Sequence, residues 1–262
     1  MKGINLIILF ITILTIGCSK KGDKDLEGFA SSCVIVGDHE PDWIEATLTN
    51  LEQDQFKKSK VVGILDWGDK RRARCTAFLI SPNVVMTNQH CIENSFSTLD
   101  ARVSFDNGNT YFSCDDFIGN NQDLDYALLR CEGNPGKENG YLPLSNDLPQ
   151  VDEDIYVIHQ NCDYKEGDEN CDPTKKLPIG ILIEKTDKDN GEYDPIASDP
   201  NSIAHNADTL GGSSGAPVIF NATGEVVAIH NSGLIDFDTY LSTGINNGRG
   251  SKNGGIKMHF II

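Results

Sequence analysis

Three residues, in the chain order His90, Asp125, Ser214, carry the side chains that nucleophilic catalysis requires. His90 closes the run Cys75-Thr-Ala-Phe-Leu-Ile-Ser-Pro-Asn-Val-Val-Met-Thr-Asn-Gln-His90-Cys91, which reads as two apolar strands joined at Ser-Pro-Asn. A histidine held at the end of such a hairpin has the fixed placement that a general base needs. Asp125 opens Asp125-Tyr-Ala-Leu-Leu-Arg-Cys131. A carboxylate entering an apolar strand is costly to bury unless it is partnered, and an imidazole N–H is a suitable partner. Asp123, two residues earlier, is its rival. Ser214 stands in Asp208-Thr-Leu-Gly-Gly212-Ser213-Ser214-Gly215-Ala-Pro217. Glycines on both sides let the backbone turn sharply, so that amide N–H groups can meet a carbonyl oxygen as it becomes an oxyanion. Each segment alone also has a plain structural reading: a histidine beside a cysteine, an aspartate before a strand, a Gly/Ser turn. Together they point to acyl transfer through a serine.

The elements that must position these groups are short strands. Runs rich in Val, Ile and aromatics, broken by Gly, Asn, Asp and Pro, predict strands over 61–67, 75–80, 84–87, 101–105, 125–131, 155–159, 179–184, 217–220 and 225–230. Helical periodicity is scarce, which favours an all-β barrel or sandwich over alternating strand and helix units. Residues 161–176 and 187–201 are acidic and turn-rich and are expected to be surface loops. No EF-hand-like calcium pattern occurs in them.

The chain of 262 residues opens with Met1-Lys2 and an apolar run ending at Gly17-Cys18, the pattern of a cleavable export signal. A small residue directly before cysteine resembles the lipobox of bacterial lipoproteins, so Cys18 is expected to carry lipid, with ordinary signal cleavage as the alternative. The domain plan is then a signal peptide over 1–17, a lipid-attached tether over 18–32 and one domain over 33–262. A net charge of −17 repels phosphate backbones and speaks against nucleic acid as a partner. The chain has 8 cysteines, and export favours disulfides. Proximity suggests Cys75 with Cys91, Cys114 with Cys131 and Cys162 with Cys171, which leaves Cys33 unpaired. Zinc has no support, because close CxxC pairs are lacking.

The three segments resemble the trypsin/chymotrypsin family, in which histidine precedes cysteine, aspartate opens a D-I-A-L-like strand and serine lies in G-D-S-G-G-P. Here they read Thr-Asn-Gln-His90-Cys91, Asp125-Tyr-Ala-Leu-Leu and Gly212-Ser-Ser214-Gly-Ala-Pro217. The resemblance implies two six-stranded antiparallel β-barrels with the active site between them. It makes Ser214 the nucleophile, His90 the general acid/base and Asp125 the group that orients the imidazole, with the amides of Gly212 and Ser214 as the oxyanion hole. Asp125 is favoured over Asp123 because it directly precedes the apolar run. The family's aspartate before the nucleophile is replaced by Ser213, which implies that its activation switch is absent; Val34-Ile-Val-Gly37 is then expected to be a first strand. The Ser-Ser-Gly-Ala-Pro form is similar to the bacterial glutamyl-endopeptidase branch, in which Thr209 and His230 would bind an acidic side chain. His159, His205, His39 and His259 are expected to be structural.

The function expected from this is that of an exported serine endopeptidase, located in the periplasm or cell envelope. It would be a monomer held at the membrane only by lipid on Cys18, acting on a protein or peptide substrate without cofactor or metal. The rival class is an inactive protease homologue that binds proteins. An α/β-hydrolase esterase is disfavoured because the G-x-S-x-G elbow is not matched.

Overall fold

The computed structural model describes residues 33–68, 75–160, 174–185, 195–235 and 249–262. The signal peptide, the tether, Cys18, Cys162 and Cys171 lie outside the described residues. In chain order the strands are β1 (Ile35–Val36), β2 (Ile44–Glu45), β3 (Val62–Asp66), β4 (Cys75–Leu79), β5 (Val84–Thr87), β6 (Arg102–Ser104), β7 (Phe112–Ser113) and β8 (Asp116–Asn121). They continue with β9 (Tyr126–Arg130), β10 (Asp154–Val157), β11 (Lys176–Leu177), β12 (Ile179–Ile183), β13 (Ser202–His205), β14 (Pro217–Phe220), β15 (Val226–Ile235) and β16 (Arg249–Lys257). Helices are few and short, the longest described being α1 (Gln53–Ser59).

Two sheets dominate. The first runs β7-β6-β3-β4-β5-β9-β8, is antiparallel throughout and curls without closing among the described residues. The second closes on itself: β16-β13-β12-β10-β14-β15 form a ring through the pairing of β15 with β16, and β1 adds to β16 in parallel. Closure satisfies the backbone groups that an open edge would leave unpaired. This is the all-β, two-barrel architecture expected, with the N-terminal barrel present as a curled half.

The apolar runs of β10, β14 and β15 are continuous rather than alternating because both of their faces are covered. Ile155, Val157, Val218 and Phe220 serve one buried cluster with Leu182 and Ile203. Tyr156, Ile158 and Ile219, pointing the other way, join a cluster that also takes in Phe78, Val85, Met86 and Leu129 of the first sheet. One hydrophobic core therefore spans both sheets, and the seam between them is where the candidate catalytic residues lie.

Two disulfides are formed as proximity suggested, Cys75 with Cys91 and Cys114 with Cys131. Cys33 corrects the sequence-based expectation: it is disulfide-bonded. Since the other four described cysteines bond to one another, the partner of Cys33 is a cysteine outside the described residues. With Cys33 paired, a Cys162–Cys171 bridge and a lipid on Cys18 cannot both stand. The supposed surface loop over 161–176 also needs correction at its end. Lys175 and Lys176 are buried, and Lys176 belongs to β11, which pairs with β2. The Lys175 ammonium is accommodated by the carbonyls of Ser59 and Phe105, at 2.6 and 2.5 Å, and burial lowers its pKa to about 7.

Candidate active site

His90 sits in a single helical turn, Gln89–Cys91, immediately after β5. The Cys75–Cys91 bridge ties that turn to the start of β4. Asp125 lies just before β9, which pairs with β5 through Thr87 opposite Ala127, so the sheet register brings the aspartate to the histidine. The His90 Nδ1–H donates to Asp125 Oδ2 at 2.9 Å and lies 3.1 Å from Oδ1. The His90 backbone N–H also donates to Oδ1, at 3.1 Å. A carboxylate only accepts hydrogen bonds, so the neutral imidazole carries its proton on Nδ1 and leaves the Nε2 lone pair available. His90 Nε2 is buried and has no hydrogen-bond partner among the described residues. Asp125 is buried whereas Asp123 is exposed, and it is the Asp125 carboxylate that meets His90.

Asp125 adopts φ 40°, a left-handed conformation uncommon for a side chain. It is held there by the buried Asn88, whose Nδ2 donates to the Asp125 carbonyl at 2.9 Å. Asn88 was not singled out from sequence, although it lies two residues before His90. Strain held in place by a neighbouring side chain is common where a group must be aimed.

Ser214 lies at the seam, in the loop before β14. The Ser214 carbonyl accepts from the Thr76 N–H of β4 at 2.8 Å. Thr76 Oγ1 donates to the Gly212 carbonyl at 2.9 Å and accepts from the Gln160 N–H at 3.1 Å. One buried threonine, next to the bridged Cys75, thus links the first sheet to both sides of the serine loop. Gly212 and Gly215 have φ 101° and 86°, the left-handed range that glycine adopts without strain. Gly215 is required for a second reason: a Cβ there would overlap the Thr76 carbonyl and Thr87 Oγ1, and would stand 3.2 Å from the Asn88 N. Glycine at this point lets the Ser214 loop press against the strand ends that carry His90.

The loop is also shaped from within. Ser213 N–H donates to the Leu210 carbonyl at 3.0 Å and Ala216 N–H to the Ser213 carbonyl at 2.9 Å. Ser213 Oγ meets His159 Nδ1 at 3.0 Å, and both residues are fully buried. Burial, with the nearby Lys176 cation, lowers the His159 pKa to about 3, so this ring is neutral.

Thr209 and His230 are buried on either side of the segment Cys33-Val34. Thr209 Oγ1 donates to Asn253 Oδ1 at 2.9 Å and its N–H donates to the Val34 carbonyl at 3.0 Å. His230 Nδ1 lies 3.2 Å from His205 Nε2, and His230 Nε2 lies 3.0 Å from Cys33 Sγ. The two are not joined by a hydrogen bond to each other among the described residues. Burial holds the His205 pKa at about 3 and pushes that of His230 down as well. The carboxylate of Asp208 accepts the N–H groups of Val36 and Asp42, each at 2.8 Å, and so fastens the first strand to the base of the serine loop. Asn253, on the Gly-rich β16, grips the same segment through Val34 N–H at 3.0 Å and carbonyl at 2.7 Å. Neither contact was foreseen from sequence. Cys75, His90 and Cys91 cluster closely enough to suggest a metal site, but both sulfurs are committed to their disulfide.

A family model described as a trypsin-like peptidase domain matches residues 75–229, more than half of the chain and inclusive of His90, Asp125 and Ser214. Among known relatives, the secreted RxLR effector protein 73 of Plasmopara viticola is 28% identical over 61% of this chain and 41% of its own length. The uncharacterized protein y4fB of Sinorhizobium fredii is 30% identical over 65% of this chain and 26% of its own. The chain thus spans well under two thirds of the length of these relatives. Among solved structures, a Glu endopeptidase in complex with MPD superposes with a TM-score of 0.58 at 19% identity, covering 86% of this chain and 94% of that one. At that identity the likeness bears on the fold, which it shares. The family match and the two-sheet architecture agree, and the chain belongs to the trypsin-like peptidase family.

Proposed function

We propose that the chain is a serine endopeptidase whose catalytic groups are Ser214, His90 and Asp125. The observation that carries this reading is the His90–Asp125 pair, hydrogen-bonded at 2.9 Å through Nδ1, with Nε2 left without a partner at the seam that holds the Ser214 loop. Ser214 Oγ attacks the carbonyl carbon of the scissile bond while His90 Nε2 takes its proton. Asp125 stabilises the resulting imidazolium, and the amides of Gly212 and Ser214 receive the oxyanion. Return of the proton to the leaving amine breaks the C–N bond and leaves an acyl-enzyme on Ser214. Water, deprotonated by His90, then releases the acid. No step calls for a cofactor or metal.

The substrate class is protein or peptide, and the two disulfides fit an exported protein. We place it in the periplasm or cell envelope as a monomer, anchored through lipid on Cys18, with no role for nucleic acid. For specificity we assign Thr209 and His230 to an acidic side chain on the substrate. The support is the fold likeness to a Glu endopeptidase and the position of the two residues flanking Cys33-Val34. Binding requires Thr209 to release Asn253 and His230 to release His205 or Cys33.

The test is labelling of the folded protein by a fluorescent fluorophosphonate, with the modified residue mapped by mass spectrometry. Labelling at Ser214 that is lost in Ser214→Ala supports the reading. A folded protein that does not label at all favours a non-catalytic homologue that binds proteins. A peptide-library screen that shows no preference for glutamate or aspartate would remove the specificity assignment while leaving the chemistry intact.

A further inference from the structure

We propose that Ser213 and His159 form a buried latch that sets the position of the nucleophile loop, so that His159 is a positioning residue for the reaction at Ser214. The inference rests on the serine-peptidase reading above and adds to it a residue remote in sequence. Ser213 immediately precedes Ser214, and its hydroxyl is the only side-chain oxygen that the turn Leu210–Ser213 presents to its own backbone, where it accepts from the Leu210 N–H at 3.3 Å. The same hydroxyl lies 3.0 Å from His159 Nδ1, and the latch takes it as the donor of that bond, which uses both its donor and its acceptor capacity. In that arrangement the ring carries its own proton on Nε2, which is buried, and the Asp208 backbone is near enough to favour a ring N–H.

His159 is in turn fixed on three sides. Its backbone N–H and carbonyl bond reciprocally to Lys176, at 3.0 and 2.9 Å, its ring packs edge-on against Trp43 with centroids 5.9 Å apart, and it is fully buried. Its neighbour Gln160 bonds through N–H to Thr76, the residue that receives the Ser214 loop. The loop is consequently held from two directions. Thr76 grips the carbonyls of Gly212 and Ser214, and His159 grips the side chain between them.

The test measures steady-state kinetics on a peptide substrate together with the rate of fluorophosphonate labelling, on full-length variants whose folding is checked by thermal unfolding. Ser213→Ala and His159→Phe each remove one half of the latch. Each is expected to lower kcat and the labelling rate by on the order of tenfold to a hundredfold, the scale of a misplacement of about 1 Å, with KM little changed. The double variant is expected to be no worse than the poorer single one, because the two residues act as one unit. His159→Asn, whose amide oxygen falls near the Nδ1 position and can accept the Ser213 proton, is expected to recover most of the loss. Wild-type kcat and labelling in a folded Ser213→Ala variant would overturn the proposal, as would an Asn variant no better than Phe at equal stability. A wild-type protein that fails to label would instead defeat the peptidase reading, so the two failures are distinct.

Discussion

At the residue scale, Asp125 gives the clearest prediction. Its carboxylate fixes the His90 tautomer through Nδ1 and also accepts the His90 backbone N–H. Asp125→Asn keeps the shape but can present an N–H to Nδ1, which moves the imidazole proton to Nε2 and closes off the base. Activity on a peptide substrate is expected to fall about ten-thousandfold with the fold unchanged; equal activity in the variant would dismiss Asp125 from the reaction. Gly215→Ala is expected to act on the fold instead. The new methyl would collide with Thr76 and Thr87 at a residue with φ 86°. A loss of at least ~2 kcal/mol in urea denaturation is the expected outcome, and an alanine variant as stable as wild type would show that the seam is looser than the contacts imply.

At the element scale, legibility followed how conventional the local pattern was. The strands over 84–87 and 217–220 came out with the bounds expected from Val, Ile and Phe runs. β16 did not, because Arg-Gly-Ser-Lys-Asn-Gly-Gly reads as a turn. Those glycines are used instead for close backbone approach to β15, where a Cβ on Gly250 would overlap the Leu234 carbonyl. The His90–Asp125 pair and the Ser214 loop were legible because each lies in a short local motif. Thr76, Asn88 and Asn253 were not, since their roles arise only when segments distant in sequence meet. The cysteine ledger failed at Cys33 because proximity along the chain says nothing about a link made across the fold. If Cys18 carries lipid, non-reducing peptide mapping is expected to connect Cys33 to Cys162 or Cys171. A Cys18–Cys33 peptide would rule out acylation at Cys18.

At the scale of the whole molecule, three fully buried histidines set the response to acid. His159 and His205 are held at about 3, and His230 is pushed in the same direction. In the unfolded chain all three take up protons near the ordinary value of about 6.5. Because the folded pKa values lie below the unfolded one, the contribution of these three histidines to stability is complete above about pH 6.5 and is lost as pH falls from there towards 3. Urea midpoints measured from pH 7.5 to 4.5 are expected to drop steadily, and replacement of His205 by Asn is expected to flatten the slope. A midpoint independent of pH over that range would contradict neutral burial of these rings.

The core that runs through both sheets, and the hydrogen bonds of Thr76 across the seam, bear on cooperativity. Neither sheet can melt alone without exposing apolar surface that the other covers, so no partly unfolded species retains a working site. The loss of fluorophosphonate labelling and the loss of far-ultraviolet circular dichroism are therefore expected to share one denaturation midpoint. A labelling curve that falls well before the spectroscopic one would reveal that the seam opens as a separate local transition.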